Sequence, residues 1–144
     1  MKRTFFPLVV LLFLLVAGET PAQDLSFKVV VNNANATSVM SKDQISKLFL
    51  KKVTAWQDGR EVVPVDLSER SQVRETFSRE IHDRPVAAVK SYWQQQVFSG
   101  RSTPPATRDS DGETLAFVQQ NPGAIGYVSA AAAINGVRVI NVTR

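Results

Sequence analysis

The segment 66–75 holds the residues of this sequence that are best suited to binding chemistry. Two serine hydroxyls, Ser68 and Ser71, and two guanidinium groups, Arg70 and Arg74, lie where a predicted strand passes into a predicted helix. The first turn of a helix leaves backbone N–H groups unpaired and carries about half a positive charge, which favours an oxyanion. The planar fork of an arginine suits phosphate or carboxylate. The pattern therefore predicts oxyanion binding through Ser71, with Arg70 or Arg74 as the cation and Ser68 beside them.

A simpler interpretation of the same segment stays open. In it, Ser68 or Ser71 only caps the helix, and both Arg70 and Arg74 keep their side chains in water. Local sequence does not separate this structural role from anion binding, because both place a serine before the first helical turn.

The rest of the composition excludes most catalytic and metal chemistry. The chain has no Cys, which excludes thiolate–zinc sites, iron–sulfur clusters and cysteine nucleophiles. The single His, His82, excludes metal sites built from several histidines and has no Ser or Cys partner in a local motif. We interpret it as a residue near a helix C-terminus that interacts favourably with the helix dipole. The chain is therefore predicted not to be an enzyme and to hold no cofactor or metal.

The acidic residues of segment 109–113 resemble a calcium loop, but their spacing is wrong for one. An EF-hand loop needs Gly at its sixth position and a carboxylate at its twelfth. With Gly112 placed sixth, the twelfth residue is Val118. Ser110 and Glu113 instead match a helix capping box, so the cluster is predicted to stabilise the start of a helix.

The aromatic residues are predicted to be structural. Trp56, Tyr92, Trp93 and Tyr127 are expected in the core and at its rim rather than on a sugar-stacking platform. Gly126 lies in a strand pattern where a neighbour is expected to approach closely. The Lys51–Lys52 pair is predicted to be a solvated loop.

Strand and helix patterns alternate from residue 27 onward, which predicts one α/β domain. A capping box at 41–44 opens one helix, and Asp58–Gly59 predicts a two-residue hairpin turn, because both residues tolerate positive φ. Pro64 predicts an edge strand or a bulge. Three further helices are predicted: one over about 70–81, one that begins at Val86, and one after Ser110. The second of these has the apolar stripe Val86, Val89, Trp93 and Val97. Strands are predicted over 27–31, 124–128 and 137–142, and an irregular connection over 100–107.

The N-terminus has the pattern of a secretory signal peptide. A positive start at Lys2 and Arg3 precedes an unbroken apolar run over 8–17, which is too short to span a bilayer. We predict a signal peptide over 1–22, with cleavage after Ala22 or alternatively after Gly18, and a domain over 23–144 that does not span a membrane. A net charge of +4 does not indicate nucleic-acid binding, which needs a clustered basic face.

Several segments in order resemble the phosphate-binding component of bacterial phosphate ABC transporters. More closely, the sequence resembles the short, single-lobe exported proteins labelled as phosphate transporter substrate-binding proteins. The shared segments run from about Phe27 to Val142 and are 41–49, Trp56-Gln57-Asp58-Gly59, Arg74-Glu75-Thr76-Phe77, Tyr92-Trp93, Phe98-Ser99-Gly100, Pro104-Pro105 and Asn121-Pro122-Gly123-Ala124-Ile125-Gly126-Tyr127-Val128. The resemblance implies one lobe of a type 2 periplasmic-binding-protein fold, with a mixed sheet flanked by helices.

The family's phosphate contact, as the resemblance implies it, is a Ser-Gly-Thr step at a helix start, with an Arg four residues before the Ser. The Ser corresponds to Ser71, whereas Gln72 and Val73 stand in the Gly and Thr positions and Leu67 in the Arg position. Arg70 or Arg74 would then supply the cation.

Two functions follow from the sequence. The first is a periplasmic solute-binding module that holds phosphate or another small oxyanion weakly. The second is a periplasmic accessory module that has lost the ligand site and contacts a periplasmic or membrane protein.

Overall fold

Six strands form one mixed sheet in the computed structural model, which describes residues 26–144. The predicted signal peptide and its cleavage site lie outside the described residues. The strands are short, with three to seven residues each, and they include those predicted over 27–31, 124–128 and 137–142. They are β1 (Phe27–Asn32), β2 (Val39–Ser41), β3 (Val63–Leu67), β4 (Ala106–Arg108), β5 (Ala124–Ser129) and β6 (Val137–Thr143).

The four helices each begin at the residue that follows a capping residue or a proline. They are α1 (Lys42–Phe49), α2 (Gln72–His82), α3 (Val86–Phe98) and α4 (Asp111–Gln120). The capping box that the sequence predicts for α1 is confirmed, because Ser41 Oγ accepts from the N–H of Gln44 and the Gln44 side chain accepts from the N–H of Ser41. A β–α alternation with helices on both faces of a sheet confirms the predicted fold class.

The order of strands in the sheet is β2-β6-β1-β5-β3-β4. β1 is antiparallel to both β5 and β6, whereas β3 is parallel to β4 and β5, and β2 is parallel to β6. Because β3 and β4 run parallel, their carboxyl ends meet at one edge of the sheet, and α2 and α4 begin just beyond that edge.

Alternation along β1 divides the core into two parts. Val29 and Val31 pack with the buried residues of α1 and α2, whereas Val30 packs with Val118 of α4 on the opposite face of the sheet. All three valines are fully buried, and burial of each contributes about 1.5–3 kcal/mol. Helix α3 lies outside these two groups, in a smaller cluster with Leu50.

The predicted two-residue hairpin turn is wrong in detail. Ala55 and Glu61 form only an isolated bridge, and the N–H of Trp56 donates to the carbonyl of Arg60 over 2.8 Å. The loop between them therefore has three residues, and Gly59 alone among them has a positive φ, at +85°. A three-residue loop of this kind needs a left-handed residue only at its last position, which is where the glycine lies.

Three further predictions about the elements are wrong. Strand β3 is an interior strand, yet Pro64 is tolerated because β4 pairs with β3 only from Val65 onward. Part of the predicted irregular connection forms the edge strand β4, which pairs in parallel with β3 across 41 residues of sequence, as Val65 does with Ala106. No local signal reveals a pairing over that distance. Val97 does not extend the buried stripe of α3, since 54% of its surface is exposed near the end of the helix.

No helix within residues 26–144 combines the length and the apolar character needed to cross a membrane.

Candidate functional site

The turn 68–71 connects the end of β3 to the start of α2 and is held by two backbone hydrogen bonds and one side-chain cap. The N–H of Ser68 donates to the carbonyl of Arg108 over 3.0 Å, and the N–H of Ser71 donates to the carbonyl of Ser68 over 3.0 Å. Ser71 then caps α2, because its Oγ accepts from the N–H of Arg74 over 3.3 Å. The capping role that the sequence allowed for Ser71 is therefore present.

Several donors of this turn have no protein partner among the described residues. The hydroxyls of Ser68 and Ser71 donate no hydrogen bond there, and the exposed Arg70 forms no ion pair. The N–H groups of Gln72 and Val73 occupy the first two helical positions, which have no acceptor inside the helix. The turn therefore carries hydroxyl, backbone and guanidinium donors within one short segment.

Arg74 is separated from these donors. Its side chain is buried, with 9% of its surface exposed, and turns back toward the end of β3. Its Nη1 donates to the carbonyl of Leu67 over 2.8 Å, and its Nη2 lies 3.5 Å from Oδ2 of Asp66. The interpretation in which both arginines stay in water is therefore wrong for Arg74, because a buried carboxylate and a carbonyl hold its guanidinium inside the fold.

Asp66 is the centre of this buried network. Its Oδ1 accepts from the hydroxyl of Tyr127, and the same hydroxyl accepts from the N–H of Leu67 over 3.3 Å. Burial raises the pKa of Asp66, although the positive charge of Arg74 and the Tyr127 hydrogen bond act in the opposite direction. Burial and the neighbouring Asp66 carboxylate raise the pKa of Tyr127. The phenol is thus protonated and donates to the carboxylate.

Tyr127 is positioned by the aromatic part of the core. Its ring stacks on Phe77 with centroids 3.7 Å apart and planes 3° apart, and it is fully buried. Gly126 beside it confirms the predicted close approach, since a Cβ there would lie 2.8 Å from Cγ1 of Val65. The tyrosine hydroxyl therefore has a fixed place beneath the end of β3.

A cleft of about 720 Å³ opens beside this network, between α3 and the edge of the sheet at β4. Asp66 and Arg74 form part of its wall, and the exposed ion pair of Lys90 and Glu69 lies with them at 3.2 Å. The remaining lining residues are Trp93, Gln94, Val97, Phe98, Pro104, Pro105, Ala106 and Thr107. Neither Ser71 nor Arg70 lines the cleft, so the structure divides the predicted site into an exposed turn and a buried arginine.

His82 lies in the last turn of α2, as predicted, but its role differs. Its Nδ1 is 2.7 Å from Oγ of Ser46 on α1, and its ring packs edge-on against Phe77. Burial and the charges of Arg84, Arg74 and Lys52 lower its pKa to about 4. The ring is therefore neutral at pH 7, so it does not supply the positive charge that interacts with a helix dipole, and it is a weak base for activating the serine.

The acidic residues at the start of α4 are used by the fold. Ser110 Oγ accepts from the N–H of Glu113, which confirms the predicted cap, although the Glu113 carboxylate bonds the N–H of Asp109 rather than that of Ser110. Asp111 accepts from both the N–H and the hydroxyl of Ser129. No cluster of three metal-ligating side chains occurs within residues 26–144.

The aromatic residues singled out in the sequence are structural, as predicted. Trp93 and Tyr127 are buried, and the hydroxyl of the half-buried Tyr92 donates to the carbonyl of Leu50. Trp56 is also buried, and its Nε1 donates to the carbonyl of Gly123 over 2.9 Å, which ties the hairpin loop to the start of β5.

Asp66 and Tyr127 are the site residues whose roles the sequence did not reveal. They are 61 positions apart in the chain, and only the pairing of β3 with β5 brings them together. One local signal was available for Asp66: a carboxylate within an otherwise apolar strand needs a buried partner, and Arg74 follows eight residues later.

Comparison with known proteins shows the family of the chain. A model of the PBP superfamily domain matches residues 8–141, so the chain belongs to this superfamily. Among curated protein sequences, none matches the chain.

Several solved structures share the fold. A phosphate ABC transporter substrate-binding protein from Clostridium perfringens, described as putative and solved with bound phosphate, is 18% identical, with a TM-score of 0.65 over 83% of this chain and 46% of that one. An ABC-type phosphate transport receptor from Vibrio cholerae is 18% identical, with a TM-score of 0.63 over 82% of this chain and 47% of that one. A possible phosphate binding protein from Planctomyces limnophilus is 17% identical, with a TM-score of 0.60 over 82% and 41%. The chain therefore spans about half the length of each and has the fold of a single lobe.

Proposed function

We propose that this PBP-superfamily chain is an exported solute-binding module that holds phosphate or a similar small oxyanion weakly at the start of α2. The observation that supports this proposal most directly is the open turn 68–71, where Ser71 caps the helix beside the exposed Arg70. Export to the periplasm rests on the Lys2–Arg3 start and the apolar run over 8–17. Binding without catalysis is the proposed activity.

Weak binding is expected because the donors approach the anion from one side only. Binding sites normally bury most of a small ligand, whereas an exposed turn leaves much of the anion in water. Gln72 and Val73 also replace the Gly and Thr that the family resemblance implies, and Arg74 is paired inside the fold. Each missing charge-assisted bond removes about 1.5–3 kcal/mol, so we expect a Kd for phosphate near or above ~100 µM.

Calorimetry and thermal unfolding of the purified chain with phosphate test the proposal. If the Kd is ~100 µM, then ~10 mM phosphate stabilises the folded state by about 2.7 kcal/mol and raises the melting temperature by several degrees. Ionic strength must be matched, because added salt alone changes screening. Sulfate and nitrate, run in parallel, report the selectivity for the anion.

Two matched variants locate the binding. Ser71→Asp keeps a good capping residue but places a negative charge at the anion position, and combined with Arg70→Ala it should abolish the response to phosphate. Arg138→Ala removes one positive charge, as Arg70→Ala does, but from β6, which is separated from β3 by β1 and β5. It should leave the response to phosphate unchanged. A phosphate response that survives in the Ser71→Asp, Arg70→Ala variant would contradict this function. So would the absence of a response to any anion in the unaltered chain.

Export has its own measurement. The intact mass of the chain recovered from the extracytoplasmic fraction of expressing cells should lack residues 1–22. A mass that retains Met1 would contradict the predicted processing.

An accessory role, with a periplasmic or membrane protein as partner, is a second candidate. It is favoured by Phe98, which ends α3 with 95% of its surface exposed and lies beside the exposed Val97 at the mouth of the cleft. A photo-crosslinking residue placed at Phe98 should then form one discrete adduct in cells, whereas the same residue at Arg138 should form none. Equal labelling at both positions would remove the reason to prefer this role.

A further inference from the structure

We propose that Asp66 determines the anion affinity of the segment 66–74, because its carboxylate is an internal counter-ion that keeps Arg74 from external anions. This inference deepens the proposed function and rests on it for the identity of the ligand class. Asp66 lies on β3, and in this proposal its charge controls whether the buried guanidinium of Arg74 is free to bind an anion.

The contacts of Arg74 show that its charge is already neutralised. Its Nη2 lies 3.5 Å from Oδ2 of Asp66, its Nη1 donates to the carbonyl of Leu67, and both charged side chains are more than nine-tenths buried. An external anion that approaches this guanidinium must therefore compete with a carboxylate that is covalently part of the same fold. A free anion loses translational freedom on binding, and Asp66 does not.

The carboxylate is also fixed in its position. Its Oδ1 accepts from the hydroxyl of Tyr127, and that hydroxyl accepts from the N–H of Leu67. The phenol ring is held by stacking on Phe77. Asp66 therefore cannot turn away from Arg74 without losing the Tyr127 hydrogen bond inside the core, where an unpaired polar group is costly.

Space is not what keeps an anion from Arg74. Asp66 and Arg74 line the cleft of about 720 Å³, and Lys90 and Glu69 are the other charged residues in its wall. These four side chains carry two positive and two negative charges, so their sum is zero. Removing the charge of Asp66 alone would leave the wall with one excess positive charge, on a guanidinium that is already desolvated and strongly favours a partner.

The substitution Asp66→Asn tests this directly, because it removes the charge and keeps the size and the hydrogen-bonding capacity toward Tyr127. The probe is inorganic phosphate, titrated by calorimetry at pH 7 and constant ionic strength. We expect its Kd to fall by about 10- to 100-fold relative to the unaltered chain, as for one added charge-assisted hydrogen bond.

Glu80→Gln is the matched control. It removes one carboxylate from α2 and changes the net charge equally, but Glu80 lies outside both the turn 68–71 and the cleft, and its ion pair with Lys42 is partly exposed. We expect its effect on the phosphate Kd to stay within about threefold, as for an exposed ion pair. The double variant Asp66→Asn with Arg74→Gln should lose the gain, because the freed guanidinium is then absent.

The outcomes separate this inference from the proposed function. Weak binding by the unaltered chain with no gain in Asp66→Asn would overturn the inference and leave the function standing. Binding by Asp66→Asn alone would overturn the function and support the inference. Equal gains in Asp66→Asn and Glu80→Gln would also overturn the inference, since net charge would then explain both. If circular dichroism shows that Asp66→Asn is unfolded, Asp66→Thr, which suits a strand and keeps a hydroxyl for Tyr127, replaces it and must show the same gain.

Discussion

The starts of α2 and α4 have the same local design but differ in what satisfies them. In each, a serine follows a strand and its Oγ accepts an N–H from the first turn, Ser71 in α2 and Ser110 in α4. The α4 start supplies its own anions, because Asp111 and Glu113 lie in its first turn. A capped helix start is therefore more open to an external anion where the chain places fewer of its own carboxylates in the first turn, as in α2 with Glu75 alone.

The carboxylates near the start of α2 have cationic partners of their own, and Glu69 of the turn pairs with Lys90 over 3.2 Å. Glu75 is the acidic residue of its first turn, and its carboxylate bonds Arg79 over 2.8 Å. The carboxylate of Asp66 on β3 also lies near this start, where it pairs with the guanidinium of Arg74 on the buried side of α2. The fold thus supplies carboxylates to both helix starts, from the first turn itself in α4 and from β3 through Arg74 in α2.

The largest expected effect comes from removing Arg74. Arg74→Leu leaves the Asp66 carboxylate buried without its cation, so the free energy of unfolding at pH 7 should fall by about 3–5 kcal/mol in urea titrations. The double variant Asp66→Leu with Arg74→Leu should be more stable than Arg74→Leu alone, because no charge remains unpaired. A loss below ~1 kcal/mol in the single variant would show that the pair is not the neutralising element of the α2 start.

The opposite end of α2 gives the next largest effect, and it depends on pH. His82 has a pKa of about 4 in the folded chain, below its ordinary value of 6.5. The unfolded chain therefore binds the proton more tightly between these values. The contribution of His82 to stability is fully present above pH 6.5 and is lost as the pH falls toward 4, by about 2–3 kcal/mol.

The difference in unfolding free energy between the unaltered chain and His82→Gln isolates this contribution. Asp66 contributes with the opposite sign, because its raised pKa makes the folded chain bind the proton more tightly, and this contribution is common to both proteins. A difference that does not change between pH 7 and pH 4 would mean that His82 has the same pKa in the folded and unfolded chain, and a gain in its contribution at pH 4 would mean that the charged ring interacts favourably with the helix dipole.

Removing the anion of the α4 start should have a smaller effect. Asp111→Ala deletes the acceptor for the N–H and hydroxyl of Ser129 and should lower the free energy of unfolding by about 1–2 kcal/mol. Asp109→Ala is the matched control, since that exposed carboxylate makes no hydrogen bond within the described residues, and it should change stability by less than ~0.5 kcal/mol. Equal losses in both would remove the distinction between a used and an unused carboxylate.

The sequence revealed these helix starts better than it revealed their surroundings. Ser71 and Ser110 were predictable, because a cap depends on residues three positions apart. The burial of the Arg74 side chain could not be predicted. It depends on Asp66 in β3 and on Tyr127, which lies in β5, 61 residues after Asp66. The fold class followed from the alternation of patterns, whereas the three-residue pairing of β4 carries no periodic signal of its own.

The smallest expected effect separates capping from binding at the two starts. Ser71→Ala and Ser110→Ala should each lower the free energy of unfolding by about 1 kcal/mol, because each deletes one side-chain acceptor for a first-turn N–H. Only Ser71→Ala should also weaken the stabilisation by ~10 mM phosphate, since Asp111 and Glu113 place negative charge in the first turn of α4. Thermal unfolding of both variants with and without phosphate, at matched ionic strength, measures the two effects together. An equal phosphate response in the two variants would show that Ser71 is a cap and nothing more, and the contrast between the helix starts would then be one of stability alone.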